Sequence, residues 1–265
     1  MDRKERDFLE QSLLKVYERA MAHRMNPMLF NDRDAEGILR TLDYAPQKEP
    51  SRLACYLEGL RSELAKESAK AFLRRHPFAL IVLYECGLDL PFSQFDNGRC
   101  RCLCLDSEAR LKVRDALIPE RVRETRVALD AEEADWVKLV LNQGIQPVFV
   151  IFSDRLLTHR ETEVKQLTDR LARIFPEGGM FFEYRKPNVF LPEVSRLPVP
   201  ETEEVLYYVR DAKREIPYYS GKIRLAERIT HLPQGYARLL PAKEAALLEM
   251  MLADEMFAFA NLLFE

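Results

Sequence analysis

The stretch PVFVIFSDRLLTHRETEVKQLTDRLARIFPEGGMFFEYRK, Pro147 to Lys186, decides the fold class. It opens on Val148-Phe149-Val150-Ile151-Phe152. The run is too short for an isolated helix, and its β-branched and aromatic residues predict a strand buried on both faces. Thr158-His159-Arg160-Glu161 has the form of a capping box, with Thr158 accepting from the helix start and Glu161 reaching back. Val164, Leu167, Leu171, Ile174 and Phe175 then recur at helical spacing. Pro176 and Gly178-Gly179 stop that helix, and Met180-Phe181-Phe182-Glu183-Tyr184 reads as a second strand. Strand, helix, strand at this length predicts a βαβ unit with a right-handed crossover.

Upstream, Asp130 resembles an N-cap with Glu133 in the box position, opening a helix through Trp136, Val137, Val140 and Leu141 that Gly144 closes. Arg121 to Leu129 carries mixed alternation and reads as a strand, while residues 107–117 fit neither period. Arg99 to Leu105 predicts a strand. Asp96-Asn97-Gly98 before it predicts a hairpin turn back from a weaker strand over Leu90 to Phe95, because Asn and Gly tolerate positive φ. Ala79 to Tyr84 reads as a buried strand, and a short buried helix fits it almost as well.

Before Pro77 the chain is helical in texture. Residues 4–22 carry the stripe Phe8, Leu9, Leu13, Val16, Tyr17, Ala20 and Met21. Asp32 to Leu42 predicts a short helix, and Ser51 caps a longer one running towards Arg75. After Lys186, Pro187, Pro192, Pro198 and Pro200 mark an extended connection over 187–203. Glu204 to Arg210 fits a strand or a short helix, Lys222 to Thr230 is undecided, and Pro241 opens a final helix predicted over Ala242 to Phe264. The expected fold class is therefore α/β, with mixed α+β still open. It has a mixed sheet around the βαβ unit, a helical N-terminal region (1–76), and a core (77–265) with a packed C-terminal helix and a sub-boundary near 187–203.

The chain of 265 residues is 47% hydrophobic and 31% charged, which excludes a disordered chain. A net charge of −3 gives no overall push towards nucleic acid or anionic membrane. Met1-Asp2-Arg3-Lys4 begins no apolar secretory segment, and no apolar run is long enough to span a bilayer. With an odd five cysteines, this predicts reduced thiols in a cytoplasmic protein with no membrane partner.

Four groups of residues invite a functional reading. Cys100, Cys102 and Cys104 share one face of a strand, with Cys86 upstream, and thiols so placed can bind a soft metal. The alternate spacing is wide for adjacent ligands and no second pair exists, so the expectation is cysteine as a small apolar residue and no metal. At the strand ends of the βαβ unit, Asp154, Glu183 and Lys186 can hold a divalent ion or stabilise charge, and His159 in the first helical turn can act as acid or base. The bland alternative is solvated charge at a sheet edge. The loop Ser153 to Thr158 lacks glycine and cradles no phosphate, and no Gly-x-Ser-x-Gly or His-Glu-x-x-His occurs, so no cofactor is expected.

Tyr207, Arg210, Arg214, Tyr218 and Lys222 combine stacking rings with phosphate-neutralising cations, although interleaved acids argue against a nucleic-acid surface. Finally, Leu252, Met256, Phe259 and Leu263 sit on a final helix that is apolar on more than one face and must be buried in its own core or against a partner. The leading reading is a non-catalytic interaction or assembly protein that associates with itself or another protein through its terminal helices. The alternatives are a metal-dependent enzyme acting on a phosphorylated or nucleic-acid substrate at the strand ends, and a nucleic-acid-binding module.

Overall fold

The computed structural model of the protein describes residues 3–129, 135–145, 147–187 and 205–265. Three helices come first: α1 (Arg3–Met25), α2 (Arg33–Leu42) and α3 (Arg52–Arg75). The side chains of Asp32 and Ser51 cap the last two by accepting from the backbone N–H of Ala35 and Ala54, at 3.0 and 3.1 Å. Then follow β1 (Leu80–Tyr84), β2 (Arg101–Asp106), α4 (Glu108–Leu117), β3 (Glu124–Ala128), α5 (Trp136–Leu141), β4 (Val148–Ser153), α6 (Glu161–Ile174), β5 (Gly179–Tyr184), β6 (Ile223–Ile229), α7 (Ala242–Ala253) and β7 (Ala258–Phe264).

The strands form one sheet in the order β3-β2-β1-β4-β5-β7-β6. β1 to β5 are mutually parallel, and β7 runs antiparallel to both its neighbours, β5 and β6. The α/β class, the mixed sheet and the βαβ unit β4-α6-β5 are as the sequence predicts, and the two strands of that unit are adjacent. Alternate residues divide between two cores. Ile81, Leu83, Phe149, Ile151 and Phe181 face α3 and α7. Leu80, Val82, Val148, Val150 and Phe182 face α5 and α6. Both faces are covered, which is why the inner strands read as unbroken apolar runs. The N-terminal helices rest on the first face, where the Phe72 ring stacks on Phe149 with centroids 4.7 Å apart.

Four local expectations are corrected. Asn97-Gly98 does form a turn: Gly98 has φ +81°, Asp96 accepts from its N–H, and Asn97 accepts from Arg99 and Cys100. It is not a hairpin, because β2 pairs in parallel with β1 and the segment over Leu90 to Phe95 is a single 3₁₀ turn. The helix cap in the central stretch lies two residues later than expected: Glu163 accepts from the Arg160 N–H at 2.7 Å, while the Thr158 hydroxyl donates to the Arg155 carbonyl. Residues 107–117 are helical, capped by Ser107, which accepts from Arg110.

The largest correction concerns the final helix. It ends at Ala253, the chain turns at Glu255 with φ +55°, and Ala258–Phe264 returns as the strand β7 between β5 and β6. Leu252 and Phe259 are fully buried in the first core, with Met256 and Leu263 packed against it, so these residues make up the interior of the chain's own fold and do not form a partner-facing helix. The cap expected at Asp130 and Glu133, and most of the proline-rich connection, lie outside the described residues.

Candidate functional site

In an open α/β sheet the crossovers on either side of one strand pair leave opposite ways, and a crevice opens at the carboxyl ends there. Here that point lies between β1 and β4, since β1 leads outward through β2 and β3 while β4 leads the other way. The turn Glu85-Cys86-Gly87-Leu88-Asp89 leaves β1 into this crevice. It is tightly curled: Glu85, Gly87 and Leu90 all have positive φ, at 48°, 46° and 42°. Ser153 at the end of β4 has φ 50°. Side chains other than glycine adopt that region at a cost, so the turn is a strained piece of backbone held by its surroundings.

What holds it is a set of buried charges. Asp106 ends β2 with 1% exposure. Its carboxylate accepts from the Gly87 N–H at 2.7 Å and from the Ser107 N–H at 2.8 Å, and meets Arg110 at 3.3 Å. Arg114, wholly buried on α4, donates to the carbonyls of Gly87 and Asp89, both at 2.9 Å. From α1, Arg19 donates to Asp89 at 2.6 Å, to the Leu88 carbonyl at 2.9 Å and to Asp32 at 2.9 Å. Arg155, after β4, donates to the Glu85 carbonyl at 3.2 Å and lies 3.6 Å from Asp89.

A second group joins α1 and α3 to the ends of β4 and β5. Lys15 meets Asp154 at 2.6 Å, and Arg61 bridges Glu58 and Glu183, the latter at 2.7 Å. Burial alone would raise the Asp154 carboxyl, but Lys15, Arg155 and Arg61 outweigh it and hold the group well below the usual carboxylate range. Glu18 on the same face of α1 goes the other way. Burial, reinforced by the negative charge of Glu58, raises it to about 7 against the partial pull of Arg61, Lys15 and Arg19.

Of the predicted catalytic residues, Asp154 and Glu183 therefore belong to one buried charge group, but each is held by a cation, Lys15 and Arg61 respectively, and Glu58 shares Arg61 with Glu183. Among the described residues no cluster of acids, histidines and cysteines is arranged to hold a metal. Lys186 is exposed and meets the turn after α7 through its backbone N–H, which donates to the Glu255 carbonyl at 2.8 Å. His159 pairs its Nδ1 with the Arg155 carbonyl at 3.1 Å. Cys86, Cys102 and Cys104 are interior thiols of the first core, and Cys100 joins them at its rim. Cys104 and Cys86 are pushed well above the usual thiol range by hydrogen bonding among the thiols and by burial. Tyr207 is fully buried with its hydroxyl 2.9 Å from that of Tyr219, so it cannot stack on a base. Arg210, Arg214, Tyr218 and Lys222 are exposed.

Sequence reasoning missed the turn after β1 and the acid at the end of β2. One signal was available. Gly87 and Asp106 lie about twenty residues apart across a strand-turn and the next strand, the spacing at which α/β folds set a glycine turn against a ribose-binding acid. The false hairpin at Asn97-Gly98 concealed it. The fit to a nucleoside is divided. Asp106 and Gly87 suit the ribose end. The crevice beside them, lined by Tyr84, Glu85, Asp89, Phe152, Ser153 and Arg155 among others, holds a half-open cavity of about 10 Å³, roughly the room of one water. A cavity of that size does not admit a nucleoside.

No protein-family profile matches the chain. It is 25% identical over 180 residues to the tetracenomycin polyketide synthesis O-methyltransferase TcmP of Streptomyces glaucescens, a match that spans 66% of this chain and 64% of that protein, so just under two thirds of the relative's length is matched. Among solved structures it resembles one from Thermobifida fusca YX assigned as a methyltransferase (TM-score 0.51, 12% identity, 88% of this chain and 87% of the other). It also resembles one from Listeria monocytogenes assigned as an S-adenosylmethionine-dependent methyltransferase (TM-score 0.50, 13% identity, 78% and 99%). The fold is the doubly wound α/β fold of these structures. The sequence match overturns the expectation of a non-catalytic interaction or assembly protein, because the relative it finds is an enzyme, an O-methyltransferase.

Proposed function

We propose that the protein is an S-adenosylmethionine-dependent methyltransferase that methylates an oxygen of a small acceptor. The observation that carries this reading is the position of Asp106. It is a buried carboxylate at the carboxyl end of β2, bonded to the Gly87 turn after β1, in a chain whose sequence matches an O-methyltransferase over 180 residues. When bound, S-adenosylmethionine supplies an electrophilic methyl group on a sulfonium. Asp106 has the chemistry to accept from ribose hydroxyls, while Gly87 lets the backbone come close to the nucleoside. The N-terminal helices roof the strand ends, where Lys15, Arg19 and Arg61 face the carboxylates of β1, β4 and β5 and keep the crevice from open water. Five buried, unpaired cysteines support placement in the reducing cytoplasm.

The test is titration of S-adenosylhomocysteine, the demethylated product, into the full chain by calorimetry up to millimolar concentration. Saturable binding is expected, weakened at least tenfold in Asp106→Asn, which keeps the shape of the carboxylate. Melting of the two proteins is measured alongside, so that a folding defect is recognised. Equal binding by wild type and Asp106→Asn would remove Asp106 from the site. Failure of wild type, Asp106→Asn and the crevice variants described next to bind would overturn the reading as a whole.

A further inference from the structure

Resting on that reading, we infer that Glu85 and Arg155 form a brace that closes the cofactor seat, and that the brace must open before a nucleoside cofactor can bind. Glu85 is the first residue after β1, where the chain curls past the crevice. Its φ of 48° lies in the left-handed region, which glycine enters freely and glutamate only at a cost. In dinucleotide-binding turns, glycines at such positions let the backbone approach the cofactor. This chain keeps the glycine conformation but places a glutamate side chain on it.

That side chain and its backbone are both tied down. The Glu85 carboxylate lies 3.7 Å from Arg110, which also meets Asp106 at 3.3 Å. The Glu85 carbonyl accepts from Arg155 Nε at 3.2 Å, and Arg155 reaches Asp89 at 3.6 Å. Asp89 in turn receives Arg19 at 2.6 Å. The line of alternating charge runs from Asp106 at the end of β2, across the turn after β1, to the end of β4 and up into α1. It crosses the crevice at the switch point and leaves a cavity of about 10 Å³ there. Asp106, the group best suited to the ribose, is thereby partly engaged by Arg110. Glu85 and Arg155 both line that cavity, and Arg110 joins Glu85 to the acid.

The experiment is S-adenosylhomocysteine titration of the full chain against Glu85→Gly and Arg155→Ala. Glycine at 85 suits φ 48° and removes a partly exposed ion pair with Arg110 and a hydrogen bond with the Tyr84 hydroxyl, so that variant is expected to melt close to wild type. If the brace closes the seat, Glu85→Gly binds at least tenfold more tightly than wild type, and Arg155→Ala also gains. Wild type binding as tightly as both variants would overturn the brace and leave the methyltransferase reading standing. Binding by none of the three at millimolar ligand would overturn both, because relieving the brace would then reveal no seat.

Discussion

Lys15 on α1 sets its ammonium 2.6 Å from the carboxylate of Asp154 at the end of β4, and so fastens the first helix of the chain to the edge of the sheet where the strands end. The pair is mostly out of water, at 13% and 16% exposure, and Arg61 and Arg155 add to the field at Asp154. Removing the carboxylate leaves three cations facing one another, and the penalty should exceed that of a surface pair, about 2–3 kcal/mol at pH 7. The pH dependence has a definite sign. The Asp154 pKa is depressed in the folded protein, so its contribution is complete above the unfolded value near 3.8 and declines as pH falls towards the folded value. The stability gap between wild type and Asp154→Asn, from urea midpoints, is expected to narrow between pH 7 and pH 3. A gap that stays constant would show that this carboxyl is not linked to folding.

Glu18 predicts the reverse. Its folded pKa of about 7 stands above the ordinary 4.5, so the folded protein holds a proton that the unfolded chain has already released. Between those values, stability falls as pH rises. Glu18→Gln removes the titration. It should leave melting at pH 5 nearly unchanged and raise stability at pH 8 by about 1–3 kcal/mol, with about 1.4 kcal/mol per unit as the conversion. Calorimetry at the two pH values checks this, and an equal effect at both would place the Glu18 carboxyl in its ordinary range.

Phe259 stacks on Phe181 at 5.6 Å between centroids, across the β5–β7 pairing, and neither ring is exposed. Phe259→Ala should cost about 3–5 kcal/mol, as large-to-small changes in a packed core do. The expected readout is a lower urea midpoint with an unchanged mass in solution. A changed mass at undiminished stability would mean that the residue serves an interface after all.

The central stretch was legible because its physics is local. An apolar strand on each side of an amphipathic helix leaves little choice, and β4, α6 and β5 lie where their periodicity places them. Asp32 and Ser51 likewise declare their caps within three residues. Where reading failed, the deciding partner was distant in sequence. Ala258–Phe264 follows a helix that is apolar on several faces, so the apolar pattern of the sequence runs on into it. Only the slot between β5 and β6 makes it a strand. Asn97-Gly98 makes the turn its residues favour, but whether the next strand pairs parallel or antiparallel depends on β1 and β4, which the turn does not sense. The candidate site was the least legible part. Its members come from α1, α3, α4 and the ends of four strands, and its glycine turn is disguised by Glu85.

The slot that β7 fills also dictates an order of events at the ribosome. Gly179 pairs with Leu263 and Phe264 with Ile223, so both β5 and β6 are complete well before the strand that joins them emerges. Until then each presents a row of unpaired backbone groups beside a large apolar surface, the condition under which nascent chains pair wrongly or aggregate. The five-strand parallel half can assemble early, whereas closure of the antiparallel edge waits for the segment after α7. A chaperone that shields sheet edges should therefore raise the yield of this protein, and stalling translation before Ala258 should leave a nascent chain whose first half is protected from proteolysis and whose second half is cut.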